Sequence, residues 1–154
     1  MNHGSMNVDG TEYPITDTNG RLVEESGGEY ALYLAVGFGP GPNPDEEGIG
    51  IKGLHIAPAA PVDLDGKRLH RTDDSVCPDD TLGTVFEDLA DLANVLFDAE
   101  PFYFEDLLID FARVTGDLYR CSLGSTMMTI TEEDEEVRER VVGTFTVRLP
   151  LETE

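Results

Sequence analysis

The sequence predicts an α+β fold, in which a mainly antiparallel sheet of about 6–8 strands, arranged as hairpins and a meander, carries one long amphipathic helix over about residues 80–98. Three observations lead there. Val85, Phe86, Leu89, Leu92, Ala93, Leu96 and Phe97 recur at helical spacing as one apolar stripe. Short runs of strand formers alternate with Gly, Pro and Asn turns through the first half. Near the end Val141, Gly143, Phe145, Val147 and Leu149 alternate as a half-buried strand requires.

Met1-Asn2-His3-Gly4-Ser5-Met6 reads as a cloning scar, because His-Gly-Ser precedes a second methionine, so residues 1–6 are set aside with Met6 as the native start. Residues 7–150 are expected to form a single domain and 151–154 a disordered tail. Between Tyr13 and Glu25 two short strands are expected to flank Asp17-Thr18-Asn19-Gly20, whose Asn-Gly step tolerates positive φ and suits a hairpin. Tyr30 to Phe38 is apolar on both faces and reads as a central strand. The stretch from Gly39 to Gly48 holds three prolines and three glycines, so neither helix nor ladder persists through this surface loop. Ile49 to Ile56 is the returning strand, with a bulge at Gly53, where the apolar parity shifts from odd to even. Residues 57–78 are irregular, apart from one short strand over 67–70 and the turn Asp63-Leu64-Asp65-Gly66.

Asp79, Asp80 and Thr81 suit the start of the long helix, where oxygens and negative charge meet free N–H groups. Glu87, Asp88 and Asp91 fall on its wet face, and Pro101 ends it. Residues 102–114 are ambiguous: Phe104, Leu107, Leu108 and Phe111 fit a helix, while Leu107, Ile109 and Phe111 alternate as in a strand. The hairpin-like Thr115-Gly116-Asp117 that follows favours the strand. Leu118 to Leu123 and Thr126 to Thr131 read as strands separated by a turn at Gly124-Ser125. From Glu132 to Arg140 the pairs Asp134/Arg138 and Glu136/Arg140 have helical ion-pair spacing, and a helical turn and an extended hairpin tip both fit.

The 154 residues, 40% of them hydrophobic, suit one core. No run approaches the roughly 20 apolar residues that span a bilayer, and no basic-then-apolar leader opens the chain, so a soluble cytoplasmic protein without membrane contact is expected. Two cysteines, Cys77 and Cys121, are too few for a disulfide framework, and no Cys/His cluster points to zinc. No metal or cofactor is expected. Acidic residues number 32 against 10 basic ones, for a formal charge of −22, which disfavours nucleic acid and anionic membranes as direct partners. A folded chain of 16.8 kDa exposes about 7,600 Å², so evenly spread charges lie about 19 Å apart, beyond the roughly 8 Å Debye length at physiological salt. Such charges act separately, and imitation of DNA requires clustering on one face. Eight of the ten basic residues are arginine, a bias that fits a salt-rich cytoplasm, where long lysine stems add unwanted apolar surface, and equally a GC-rich genome.

Gly48-Ile49-Gly50-Ile51-Lys52-Gly53 matches GxGxxG literally, but no helix follows to meet a pyrophosphate, so these read as strand glycines. The turns Asp17 to Gly20 and Asp63 to Gly66 resemble the opening of a calcium loop without its remainder and read as Asx turns. His55, His70, Cys77 and Cys121 are the groups available for nucleophilic catalysis, yet no motif joins them; His55 reads as a strand residue and His70 as a surface one. So many acids make close carboxylate pairs inevitable, which identifies no catalytic pair. Phe102-Tyr103-Phe104 reads as core. The candidate partner-binding residues are the loop acids Asp45, Glu46 and Glu47 and the run Glu132, Glu133, Asp134, Glu135 and Glu136; a solvated tip is the plainer reading of that run, and the acids become functional only if they gather on one side.

Three functional expectations follow. The leading one is a non-enzymatic acidic interaction protein, such as an inhibitor, immunity-like protein or adaptor, binding a basic protein. The second is a stand-alone domain of a halophile whose acidity is solvent adaptation. The third is an enzyme or small-ligand carrier with a pocket beneath the Gly/Pro loop.

Overall fold

The computed structural model describes residues 3–25, 28–43, 46–58, 63–83 and 87–153. Its strands are β1 (Gly4–Val8), β2 (Thr11–Pro14), β3 (Asp17–Glu24), β4 (Tyr30–Gly37), β5 (Gly48–Ile56), β6 (Arg68–Thr72), β7 (Ala93–Phe97), β8 (Glu100–Thr115), β9 (Leu118–Ile130), β10 (Glu136–Arg148) and β11 (Leu151–Thr153), with one helical turn, α1 (Leu89–Leu92), before β7. All eleven strands belong to one sheet.

Antiparallel pairing links β3, β4, β5, β7, β8, β9 and β10 in that order. β10 then continues through Leu149 and Pro150 into β11, which pairs in parallel with β3, Leu151 opposite Leu22. The sheet thus closes into a barrel. Seven strands of alternating direction are an odd number, so the closing pair has to be parallel. Leu22 N donates to Pro150 O at 2.9 Å and Thr18 Oγ1 to Thr146 O at 2.8 Å across the seam. Closure leaves few unpaired edges. Two long strands each serve two neighbours along one edge. β1 takes the stretch of β10 from Val141 to Phe145, ahead of the seam, while β8 pairs with β7 over 100–103 and with β6 over 106–110.

The inward residues form one continuous core in which Phe38, Phe104, Phe145, Met6, Leu32 and Leu54 are fully enclosed. Gly53, at φ 78°, is the bulge the parity shift foretells: Leu32 pairs with Leu54 and Tyr33 with Lys52, so Gly53 is skipped. A second irregularity lies in β8 between Phe104 and Asp106. It moves the buried positions from Phe102 and Phe104 to Leu107, Ile109 and Phe111, and the three-residue step from Phe104 to Leu107 is what imitates a helix in the sequence. The accessible surface, 7949 Å², is close to the size-based expectation.

Several expectations are corrected. The protein is not α+β but nearly all sheet: among the described residues strand accounts for 64%, and no helix reaches seven residues. The helix expected over residues 80–98 is reduced to the turn α1, capped by the Asp88 side chain on Ala90 N, and Ala93–Phe97 is strand β7. Val85 and Phe86 lie outside the described residues. The apolar stripe misleads because Ala93, Val95 and Phe97 also alternate, and β5 and β8 on either side fix the extended reading. Leu96, assigned to the stripe, is 37% exposed. Asn19-Gly20 makes no hairpin, since β3 runs straight through it, and β2, which pairs with β1, is joined to β3 by Ile15 and Thr16 without pairing with it. Gly124-Ser125 makes no turn either; both sit inside β9, where the enclosed Ser125 hydroxyl accepts from Leu108 N at 3.1 Å. The segments set aside at both ends are structural as well: Gly4, Ser5 and Met6 belong to β1, and Leu151–Thr153, expected as a disordered tail, is β11. No helix among the described residues is long and apolar enough to cross a membrane.

Candidate functional site

Strand direction places the β1–β2 turn, the β4–β5 loop, the β7–β8 turn and the β9–β10 tip at one end of the barrel. These connections carry Asp9, Glu46, Asp98, Glu132, Glu133, Asp134 and Glu135, with Glu100, Glu136 and Glu139 on the adjoining strand starts. The two acidic segments singled out from the sequence therefore share an end. Burial, and then the charges of Asp9, Asp98 and Glu100, hold the Glu139 carboxyl above the ordinary carboxylate range.

The tip is a compact turn. Thr131 N donates to Glu135 O at 2.9 Å, and the Thr131 hydroxyl accepts from the backbone N of Glu133 and Glu135 at 3.3 and 3.2 Å. This is the hairpin-tip alternative, so neither i,i+4 ion pair forms. Glu136 instead meets Arg138 at 2.8 Å, two residues along the strand, and Arg138 also binds Glu105. Glu132, Glu133, Asp134 and Glu135 are exposed and have no cationic partner among the described residues. Between the tip and the start of β8 runs a shallow groove of about 580 Å³, walled by Glu100, Glu132, Glu133 and Glu135 and floored by Pro101 and Ile130. Ile130 is 56% exposed.

The β4–β5 loop contributes differently. Glu46 is exposed, but Glu47 is buried, its Oε1 accepting from Gly41 N at 3.1 Å and Asp98 N at 2.8 Å. It ties the loop to the β7–β8 turn and presents no charge to a partner. Asp45 lies outside the described residues. Beneath the loop, Phe38 and Glu47 fill the interior, and the groove that remains, about 210 Å³ and lined by Asp17, Glu46, Asn94 and Leu96 among others, is lined by neither His55 nor His70.

His55 and His70 meet carboxylates elsewhere. Near the opposite end, His55 of β5 lies between Glu87, whose Oε1 is 2.6 Å from Nδ1, and Glu25, whose Oε2 is 2.8 Å from Nε2. Burial alone would lower the imidazole pKa, but hydrogen bonds and charge from both carboxylates outweigh it and hold the ring above its ordinary value. Beneath it Arg71 is enclosed by the core, donating from NH2 to His55 O at 2.8 Å, with its Nε 3.7 Å from Asp80. Asp80 caps no long helix; its enclosed carboxylate accepts from the backbone N of His70, Leu82 and Gly83 at 2.8, 2.7 and 2.6 Å.

On the outer face of β6, His70 Nδ1 is 2.6 Å from Asp79 Oδ1, and Cys77 joins them, one ligand atom of each lying within 4.8 Å of the other two. Burial, then the charges of Asp79, Asp80, Asp106 and Asp74, push the Cys77 thiol up, while burial alone pushes Cys121 up to about 12. A raised thiol argues against a nucleophile at either position. The cluster leaves no mark in the sequence because the chain has to reverse after β6 before the three meet: Cys77 N donates to His70 O at 3.0 Å. The remaining sequence candidates are structural. Asp63 accepts from Asp65 N at 2.9 Å in an Asx turn, and Gly48, Gly50 and Gly53 are strand residues. Comparison with protein-family models, with curated proteins and with solved structures gives no match for this chain.

Proposed function

We propose that this chain is a non-enzymatic cytoplasmic binding protein whose acidic barrel end captures a basic segment of a partner protein. The observation that supports this reading is the uneven pairing of the acids. Along the β6–β8 side and toward the far end, carboxylates are commonly neutralised locally, as in Asp79 and Asp110 with Arg68, Asp63 with Arg113 and Asp117 with Arg148. At the tip, four successive carboxylates have no cationic partner among the described residues and stand beside an exposed isoleucine. Arginine or lysine stems can lie along Pro101 and Ile130 while their charged heads meet Glu100, Glu132, Glu133 and Glu135. The field at that end steers approach, and the apolar floor supplies contact that salt does not screen.

Binding of a labelled peptide of alternating arginine and alanine, followed by anisotropy from low to molar KCl, tests this. Neutralising Glu132, Glu133 and Glu135 to Gln is expected to weaken binding roughly tenfold at low salt, at about half a kcal/mol per exposed charge. Neutralising Glu24, Asp91 and Glu152, toward the other end, removes the same net charge and is expected to change it little. Equal losses from the two triple variants would mean that net charge alone attracts the peptide, and the reading would fall.

A second reading, solvent adaptation in a salt-rich cytoplasm, is favoured by exposed acids such as Glu24, Asp73 and Asp91 away from the acidic end. It concerns the whole surface and is compatible with the first.

A further inference from the structure

We propose that His70, Cys77 and Asp79 form a binding site for a single thiophilic divalent cation of the zinc class. The three offer nitrogen, sulfur and oxygen, the donor set zinc accepts in four-coordinate sites. Calcium and magnesium want six or more oxygens, and a thiol with an imidazole selects against them. The donor atoms lie within 4.8 Å of one another. Ligands around a four-coordinate zinc are roughly 3.3–3.8 Å apart, so closure needs shifts on the order of 1 Å, within reach of side-chain torsions alone.

The scaffold around the three is already fixed. His70 is set in β6, with its backbone N held by the enclosed carboxylate of Asp80 at 2.8 Å. Cys77 is held against the same residue through His70 O, and Asp80 N returns to Cys77 O at 3.0 Å. Asp79 Oδ2 accepts from Arg68 NH1 at 2.9 Å, and Arg68 is clamped by Asp110 through contacts of 2.7 and 2.9 Å. That outer pair orients the carboxylate as supporting residues do in metal sites. Asp74 and Asp106 add negative charge around the cluster, which draws a dication. On binding, the thiol proton is released to solvent as the sulfur–metal bond forms, and three protein ligands leave the fourth position to water or another small ligand.

Cobalt serves as the spectroscopic probe and zinc as the competitor, both added to the purified full chain. One equivalent of cobalt is expected to give the thiolate-to-metal charge-transfer band and the visible bands of four-coordinate geometry, with zinc abolishing both and excess magnesium neither. The Cys77→Ser variant is expected to lose the charge-transfer band. His70→Ala and Asp79→Asn are expected to weaken zinc binding, measured by chelator competition, on the order of tenfold or more. Should a variant fail to fold, alkylation of Cys77 in the unaltered protein replaces it: zinc is expected to slow the reaction and magnesium to leave it unchanged, Cys121 being enclosed. No charge-transfer band, zinc affinity equal in the parent and Cys77→Ser, or alkylation indifferent to zinc would each overturn the site. None of these outcomes bears on the acidic end, which shares no residue with it.

Discussion

At the scale of single residues, the acids divide into kinds that look alike in the sequence. Glu47 and Asp80 are enclosed and spend their charge on backbone N–H groups of their own and adjacent segments, where removing the acceptor would strand buried donors. The carboxylates from Glu132 to Glu135 face water and have no cationic partner among the described residues. Glu25 and Glu87 are half-buried and serve one imidazole. Because they raise the His55 pKa above its ordinary 6.5, the stabilisation they lend is fully present below that value and is lost as pH rises through the folded value. The urea midpoint of the parent is therefore expected to fall across that window, relative to a His55→Gln variant that lacks the titration. Parallel curves for the two proteins would show that the carboxylates do not favour the charged ring.

At the scale of elements, local pattern and pairing partner compete. β4, β5 and the β8–β9–β10 meander were legible because apolar residues alternate over long runs, and Gly53 was legible because parity breaks there. The helix expected over residues 80–98 failed because a short window carrying Leu89, Leu92, Ala93, Val95 and Phe97 satisfies both periods; what decides is that β5 and β8 offer unpaired edges on either side of β7. Asn19-Gly20 failed for the same reason, since a turn-prone pair yields when a neighbouring strand binds its backbone, as β4 does here. Close approach of strands also assigns glycines that pattern alone leaves unexplained. A Cβ at Gly143 would lie 2.5 Å from Ser5 O and 2.6 Å from Met6 Sδ, where β1 crosses β10, whereas one at Gly50 would meet only Asn94 Oδ1 at 3.6 Å. Gly143→Ala is expected to cost about 1–3 kcal/mol in urea unfolding, and Gly50→Ala to stay within about 0.5 kcal/mol. Similar effects at both sites would argue against the tight β1–β10 contact.

At the scale of the whole molecule, a charge of −22 on a barrel of this surface is self-repelling, most of all at the end where unpaired carboxylates converge. Salt screens that repulsion and strengthens apolar burial. The thermal midpoint is accordingly expected to rise from low salt to molar KCl, and an unchanged midpoint would remove solvent adaptation as a reason for the acidity. Closure explains why both chain ends matter. The amino-terminal strand and the last three described residues each complete pairing that the long strands leave open, although in sequence they read as a scar and a tail.

The sequence by itself determined the acidity, the single core, the preponderance of antiparallel strands and the residue types on offer. These are properties of composition and of apolar period, which survive without knowing what lies next to what. Only the tertiary structure decided that the sheet closes, that residues 93–97 extend, that Glu47 is buried while Glu132 to Glu135 are not, and that His70, Cys77 and Asp79 meet. Each of these depends on which backbone or side chain occupies the neighbouring position, and contacts between residues distant in sequence leave no periodic mark along the chain.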